Sequence, residues 1–204
     1  MEKFFSLSIE KQNTIIDAAL KVFSTNGYKK ASVSDIANAA GISKAMVFHY
    51  FGSKKALYLY LIEFCGSMFM AEINEKLDTT VTDFFDRIKM TSSIEISLMK
   101  RHPAILSFLT SIYFENDKDV KGDIKAILSK GKDFKSKTAL SGMDTSKFKD
   151  NIDPQLVMKM LYWIGEGYAA QSSYQTEIDY DALLKEMDAC LDLLKNNFYK
   201  EEFV

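Results

Sequence analysis

The stretch that decides the fold is residues 32–57, with the sequence SVSDIANAAGISKAMVFHYFGSKKAL. Its apolar residues recur with a helical period in two short segments, one on each side of Gly41. Ser32 and Ser43 stand directly before these segments, where a hydroxyl caps the first turn, and Gly41 stands where the first helix would end. The stretch therefore predicts two short helices joined by a tight turn, with a longer helix beginning at Lys54.

The rest of the chain also follows a helical period. Only two prolines and nine glycines interrupt its 204 residues. We expect six further helices, at residues 9–26, 81–101, 103–115, 118–138, 153–175 and 180–200. The sequence thus predicts an all-α fold of about nine helices. A three-helix head would occupy residues 1–53 and a helical bundle residues 54–204, with helix 54–78 connecting the two.

Composition and cysteine usage favour a globular protein of the cytoplasm. Hydrophobic residues make up 47% and charged residues 26% of the chain. No stretch approaches the roughly 18 uncharged apolar residues that cross a bilayer, and the N-terminus lacks the pattern of a signal peptide. Cys65 and Cys190 lie far apart in apolar helical surroundings, which favours two free thiols in a reducing compartment. We therefore expect no membrane partner.

The positive charge is concentrated near the N-terminus. Residues 1–60 hold eight lysines and four acidic residues, an excess of four positive charges, whereas the whole chain has a net charge of −2. The remaining residues therefore carry a net charge of −6. A basic head on an acidic body suits a protein that presents one end to a polyanion, although ordinary surface variation gives the same pattern.

Two short helices on either side of Ala40-Gly41-Ile42 are typical of a helix-turn-helix. The turn needs a small residue because the helices cross closely, and a glycine because the backbone must turn left-handed. In a DNA-binding protein, the first residues of the second helix enter the major groove. Helical hairpins with glycine turns also occur in proteins that never bind DNA, so the spacing by itself leaves both interpretations open.

From about residue 9 to residue 60, the chain resembles the N-terminal signature of TetR-family transcriptional regulators. The matching segments are Gly27-Tyr28, Ser32–Ala37, Ala40–Lys44 and Val47–Leu57. The resemblance implies a homodimer, a variable C-terminal domain that binds a small molecule, and repression that this molecule relieves. Two symmetric recognition helices would read a near-palindromic operator in double-stranded DNA.

The resemblance also implies which residues meet DNA: Ser32, Ser34, Ser43, Lys44, Ala45, Met46, Phe48, His49, Tyr50 and Lys54. The serines and the two lysines match phosphate contacts, with Ser43 and Lys44 also near base edges. Ala45 and Met46 match positions that face the major groove. Three of these positions depart from the residues most common in the family: Ala45, Met46 and Phe48. Ala45 and Met46 offer few hydrogen bonds to base edges, and Phe48 lacks the hydroxyl that would contact phosphate. Tyr50 also fits a core position.

An effector pocket is expected among the central helices, where methionines and aromatic side chains form an adaptable apolar wall. The candidate lining residues are Phe108, Tyr113, Phe114, Tyr162 and Trp163, which would also fit a plain helical core. Glu166 stands in the apolar run 160–170 and needs a partner. Three alternatives are open: a Lys or Arg, solvent or the dimer partner, or a ligand. The effector would be a small apolar or amphipathic molecule.

Two helices near the C-terminus are the predicted dimer interface. The candidate residues are Trp163, Gly167, Ala170, Leu183, Met187, Cys190, Leu191 and Leu194. The small residues on the first of these helices would permit close approach of a partner helix. The apolar stripe on the last helix fits an intramolecular core equally well.

No pattern of an enzyme is found. His49 and His102 are the only histidines, and neither has a cysteine or a second histidine at ligand spacing. A nucleophile elbow and a phosphate-binding glycine loop are both missing from the sequence. We therefore expect no catalytic residues, no metal and no cofactor. The leading hypothesis is a DNA-binding repressor released by a small molecule, and the alternative is a DNA-bound protein-interaction regulator without such a ligand.

Overall fold

The structure is a computed structural model that describes residues 1–172 and 179–204, apart from the side chains of Pro103, Ala169, Ala170 and Ser172. The described residues form ten α-helices, two short 3-10 turns and one isolated β-bridge. The helices are α1 Glu2–Phe5, α2 Ile9–Lys30, α3 Val33–Ala39, α4 Lys44–Phe51, α5 Lys54–Lys76, α6 Phe84–Arg101, α7 Pro103–Phe114, α8 Lys121–Leu140, α9 Pro154–Ser172 and α10 Tyr180–Phe198. The predicted all-α fold is confirmed.

Three glycines set the boundaries of the N-terminal helices. Gly27, Gly41 and Gly52 have φ values of 66°, 66° and 77°, a region that side chains with a Cβ rarely adopt. Gly27 interrupts α2, so the predicted end of that helix near residue 26 corresponds to this break. The sequence did not predict α1, because four residues are too few to show a helical period.

The chain packs as two compact units, the first formed by residues 1–68 and 102–130. Within it, α2 packs against α7 and α3. An aromatic cluster forms its centre: the ring of Tyr58 lies 4.8 Å from that of Phe23 and 5.5 Å from that of Phe108. The three helices that carry the predicted head are therefore packed together with α7 in one unit. The predicted functional boundary at residue 53 remains a prediction.

The second unit is formed by residues 69–101 and 131–204. Its core is aromatic, with Phe84, Phe85, Phe148 and Tyr199 each at most 3% exposed. Helices α6 and α10 pack antiparallel, and three ion pairs join them along their length. They are Asp86–Lys195 at 2.9 Å, Lys89–Asp192 at 2.6 Å and Lys100–Asp181 at 2.6 Å. Helices α9 and α10 each pack one side on this core and expose the other.

One helix among the described residues, α5, is long and apolar enough to cross a membrane by length and composition. Buried helices of globular proteins meet the same criterion, and its Leu57, Leu61 and Cys65 are 0% exposed inside packed protein. One weakly apolar helix does not indicate a membrane protein.

Candidate nucleic-acid interface

The turn between α3 and α4 has the geometry that a helix-turn-helix requires. Gly41 takes the left-handed conformation, and the backbone N–H of Ile42 donates to the carbonyl of Ala37 at 3.0 Å. The Oγ of Ser43 then accepts the N–H of Met46 at 3.2 Å and caps α4. The start of the second helix is thus fixed by local hydrogen bonds, as its sequence predicts.

Helix α4 divides cleanly into a buried side and an exposed side. Val47, Tyr50 and Phe51 are 1%, 6% and 5% exposed and anchor the helix. The residues that remain exposed are Ser43, Lys44, Ala45, Met46, Phe48 and His49. Six of the ten predicted DNA-contacting residues therefore share one short, outward-facing segment. It offers a hydroxyl, a cation, an imidazole and two large apolar side chains.

Tyr50 lies on the buried side of α4. Its ring packs 6.2 Å from the ring of Phe4 and 5.9 Å from that of His49. Tyr50 is therefore a core residue, as its sequence position also allowed. A contact with DNA through this side chain would require it to leave the core. Phe48, in contrast, is 41% exposed and presents an apolar ring.

The two serines before and within α3 are partly buried. The Oγ of Ser32 accepts the backbone N–H of Ser34 at 3.1 Å and caps α3. Contacts of Ser32 and Ser34 with phosphate stay a prediction.

Lys54 has internal partners in this structure. Its ammonium donates to the carbonyl oxygens of Tyr28, Lys29 and Ala31 at 2.9, 3.3 and 3.3 Å. It also lies 4.5 Å from the centre of the Tyr28 ring. A cation on the last carbonyls of a helix stabilises that end. The predicted phosphate contact of Lys54 therefore competes with a capping role that the structure shows.

A cluster of acidic residues between α7 and α8 holds the end of α2. The Glu115 carboxylate accepts the backbone N–H of Tyr28 at 2.7 Å, and Asp119 accepts the Tyr28 hydroxyl. Burial, followed by the neighbouring carboxylates, raises the pKa of Tyr28. Lys55 pairs with Asp123 at 2.9 Å, and this hydrogen bond raises the pKa of the lysine. Sequence reasoning missed this cluster, because its partners are 68–91 residues apart and no local pattern links them.

The predicted pocket residues do not form one wall. Phe108 is 0% exposed and stacks in the core of the first unit, whereas Tyr113 and Phe114 are each 46% exposed. In the second unit, Tyr162 borders an open cleft of about 400 Å³ and donates its hydroxyl to the carbonyl of Lys132 at 2.8 Å. The cleft is lined by Ser136, Leu140, Gln155, Met158, Lys159 and Tyr162.

Glu166 has a basic partner on α8. Its Oε1 lies 2.5 Å from the Nζ of Lys132, and both side chains are partly exposed. Of the three alternatives that the sequence left open, pairing with a lysine is the one found in the structure. No contact of Glu166 with a ligand is needed to explain its place in an apolar run.

Helix α9 has an exposed apolar face. Leu156, Trp163 and Ile164 are 51%, 56% and 51% exposed, and Gly167 lies on the same side. On α10, Cys190 is exposed and Leu193 is 64% exposed. The stripe on α10 instead packs inward: Leu191 is 2% exposed, and Met187 and Leu194 pack on the same core, with Leu183 half-buried. These residues of α10 therefore belong to the core of their own chain, which is one of the two interpretations that the sequence allowed. The side chain of Ala170, another predicted interface residue, lies outside the described residues.

Comparisons with known proteins agree with this arrangement. Residues 15–61 match the sequence model of bacterial regulatory proteins of the tetR family. The nucleoid occlusion factor SlmA of Vibrio campbellii is 28% identical over 116 residues, 55% of this chain and 59% of that protein. The fatty acid metabolism regulator protein of Bacillus subtilis is 24% identical over 153 residues, 74% of this chain and 78% of that protein. The chain thus spans about three-fifths of the length of the nucleoid occlusion factor that it matches.

Two solved structures show the same fold. A TetR-family regulator from Chloroflexus aurantiacus superposes with a TM-score of 0.74 at 20% identity, covering 98% of this chain and 99% of that one. The regulator FadR of Bacillus subtilis, solved with stearoyl-CoA, superposes with a TM-score of 0.69 at 19% identity, covering 88% and 96%.

A capped helix-turn-helix with an outward-facing second helix is the arrangement of a helix-turn-helix DNA-binding domain. The family match over residues 15–61 contains both helices of that motif. Residues 15–61 therefore carry the sequence pattern of the tetR family of bacterial regulatory proteins, and the chain shares the fold of solved TetR-family regulators.

Proposed function

We propose that this chain is a sequence-specific repressor that binds double-stranded DNA through α4. The observation that carries the proposal is the exposed segment from Ser43 to Met46, together with Phe48 and His49, on a helix anchored from behind. Lys44 supplies a cation at the first turn, where phosphate and guanine edges are within reach of a recognition helix. Met46 and Phe48 supply apolar contacts such as those that thymine methyl groups accept.

We further propose that the active form is a cytoplasmic homodimer. Three large apolar side chains of α9 are each more than half exposed, namely Leu156, Trp163 and Ile164, and exposed apolar surface is what protein–protein contacts bury. Gly167 on the same helix is also exposed and would permit close approach of a partner helix, so we propose a second copy of the chain as the partner for this face. A two-fold axis would place two copies of α4 on successive major grooves and require a near-palindromic operator.

For the effector, we propose an amphipathic molecule with an acyl chain. The related regulator of Bacillus subtilis is named for fatty acid metabolism, and FadR of that organism was solved with stearoyl-CoA. The cleft beside Tyr162 combines apolar Leu140 and Met158 with the cation of Lys159. Release of DNA requires that the effector bind the DNA-incompetent state more tightly.

The experiment has two stages. The wild-type chain selects duplexes from a random DNA pool, and the enriched sequence is footprinted; we expect a near-palindromic site. Enrichment of no sequence would overturn DNA recognition. Stearoyl-CoA is then titrated onto the complex, with coenzyme A and stearate as controls. We expect stearoyl-CoA to release the DNA; if it binds the protein and leaves the footprint unchanged, the proposed effector class is wrong.

A DNA-bound protein-interaction regulator is the second candidate. It is favoured by the 28% identity to a nucleoid occlusion factor over 55% of this chain and by the open form of the cleft. A selected operator that no acyl compound releases, together with a monomer whose α9 face captures another protein, would support this candidate instead.

A further inference from the structure

Helix α1 places a buried aromatic side chain against the recognition helix. Phe4 is 0% exposed, and its ring lies 4.8 Å from that of Phe51 and 6.2 Å from that of Tyr50. Both partners are in the last turn of α4. A third ring, Tyr60 of α5, lies 5.7 Å from Phe4. The next residue, Phe5, is 56% exposed and touches Tyr60 but not α4 in the ring contacts of the described residues.

The segment that carries Phe4 is held in place by its own hydrogen bonds. The Gln12 side-chain amide donates to the carbonyls of Phe5 and Leu7 at 3.3 and 2.9 Å. Ser6 donates its hydroxyl to the carbonyl of Lys3 at 2.9 Å. Ser8 caps α2 by accepting the N–H of Lys11. Helix α1 is therefore an ordered part of the first unit, although it lies outside the residues 15–61 that match the family.

A helix of eight residues has only about two turns, so its direction is set by the side chains that anchor it rather than by its length. Three side chains anchor α4, and Phe4 contacts two of them, Tyr50 and Phe51. The third, Val47, lies in the first half of the helix. Removal of Phe4 would leave the C-terminal turn of α4 free to tilt about Val47.

We propose that Phe4 is a positioning residue that fixes the angle of α4 and thereby the sequence preference of the protein. The proposal rests on the proposed DNA-binding function. Base contacts tolerate displacements of only about 0.5 Å, whereas lysine contacts with phosphate are made by long side chains that adjust. Loss of Phe4 therefore weakens binding to the preferred sequence more than binding to unrelated DNA.

The test compares Phe4→Ala with Phe5→Ala, a matched control at the exposed neighbour. Each variant is titrated against the duplex that wild type selects and against an unrelated duplex, with the active fraction fixed by stoichiometric titration. We expect Phe4→Ala to raise Kd for the selected duplex about tenfold and for unrelated DNA less than twofold, and Phe5→Ala to change neither. Phe4→Leu retains an apolar side chain and should recover most of the preference. If Phe4→Ala does not fold, Phe4→Leu takes its place in the test, and we expect its Kd for the selected duplex to rise about threefold.

Hydrogen exchange of the free protein distinguishes a residue that positions α4 from one that only stabilises the whole first unit. In Phe4→Ala, we expect faster exchange of the amides of residues 48–51, with those of α3 and α7 unchanged. Uniformly faster exchange across the first unit, or an equal loss of affinity for both duplexes, would overturn the proposal. If wild type selects no sequence, the proposed function fails, while the exchange result still decides whether Phe4 positions α4.

Discussion

Two outward-facing helices, α4 and α9, expose apolar side chains in very different settings. On α4, Met46 and Phe48 are 39% and 41% exposed and stand among a serine, a lysine and a histidine. On α9, Trp163 and Ile164 are more than half exposed, and the Lys159 ammonium lies over the Trp163 ring at 5.0 Å. The first surface combines hydrogen-bond donors with apolar contacts, whereas the second exposes larger apolar side chains beside a lysine.

The difference indicates which partner each surface can hold. A polyanion needs cations and hydrogen-bond donors, because phosphate contacts supply most of its affinity and base edges require polar groups. A second protein surface needs apolar area that becomes buried, with few charges at its centre. The α4 surface therefore suits the proposed contact with DNA, and the α9 surface suits the proposed contact with another copy of the chain. Changing one surface at a time separates these two roles.

The largest effect is expected from Trp163→Asp. A buried, unpaired carboxylate at the centre of an apolar interface is strongly unfavourable, so the dimer should dissociate and its mass in sedimentation should halve. Affinity for the selected operator should fall by about 10²-fold or more, because the second head no longer binds as a linked module. Lys125→Asp, an exposed charge change on α8, is the control and should leave both mass and affinity unchanged. A dimeric Trp163→Asp protein would show that this face is not the interface.

Thiol labelling should distinguish a covered surface from a buried core. Cys65 is 0% exposed, and burial raises the pKa of its thiol to about 12, so it should not react with iodoacetamide at about pH 8. Cys190 is exposed in the single chain and should be protected in the dimer. We expect alkylation of Cys190 to be at least about tenfold faster in the dissociated Trp163→Asp variant, as measured by mass spectrometry. Equal rates in both proteins would place Cys190 outside the interface.

Lys44→Ala should weaken DNA binding about tenfold, since a recognition-helix contact is typically worth about 1–3 kcal/mol. If Lys44 binds phosphate, the salt dependence of log Kd should become shallower by about one unit, because one phosphate is no longer neutralised. If it reads guanine, the preference at one base pair should relax instead. Lys125→Ala provides a charge-matched control. An unchanged Kd would remove Lys44 from the interface.

The smallest effect on DNA is expected from Lys54→Ala. Its ammonium caps the end of α2 in the structure, so the change should lower the free energy of unfolding by about 1 kcal/mol while the salt slope of DNA binding stays the same. Thermal unfolding and a salt titration measure the two effects. A shallower slope with unchanged stability would assign Lys54 to phosphate rather than to capping. Lys29→Ala removes a neighbouring exposed charge as the control.

The helical architecture and the exposed side of α4 could be predicted from sequence because both depend on local patterns. Gly41 and Ser43 define the turn and the cap through contacts within a few residues. The helical period of the apolar residues predicted two short helices on either side of Gly41, and the structure contains both, α3 and α4. The position of Tyr50, in contrast, depends on Phe4, which lies 46 residues earlier in a helix too short to show a period.

The burial of side chains in the C-terminal part was harder to predict, because several helices there could pack against the same apolar residues. Leu191 and Trp163 are both large apolar residues at helical spacing, yet one is 2% and the other 56% exposed. Leu191 turns inward because it packs in one core with Phe84 and Phe85 of α6. A single sequence does not indicate which helix will pair with which. For the same reason, the sequence did not identify the partners of Tyr28 and Glu166, which lie on other helices or loops.

The central claim is that α4 lies in the major groove of DNA. An iron chelate attached to Ala45→Cys in a Cys190→Ser background cleaves DNA next to that residue, while buried Cys65 stays unlabelled. We expect cleavage of the selected duplex at two symmetric positions, about 34–36 Å apart or at a multiple of that spacing. The chelate attached to exposed Lys125→Cys serves as the reference. Cleavage from position 45 that is no stronger than this reference would contradict the account.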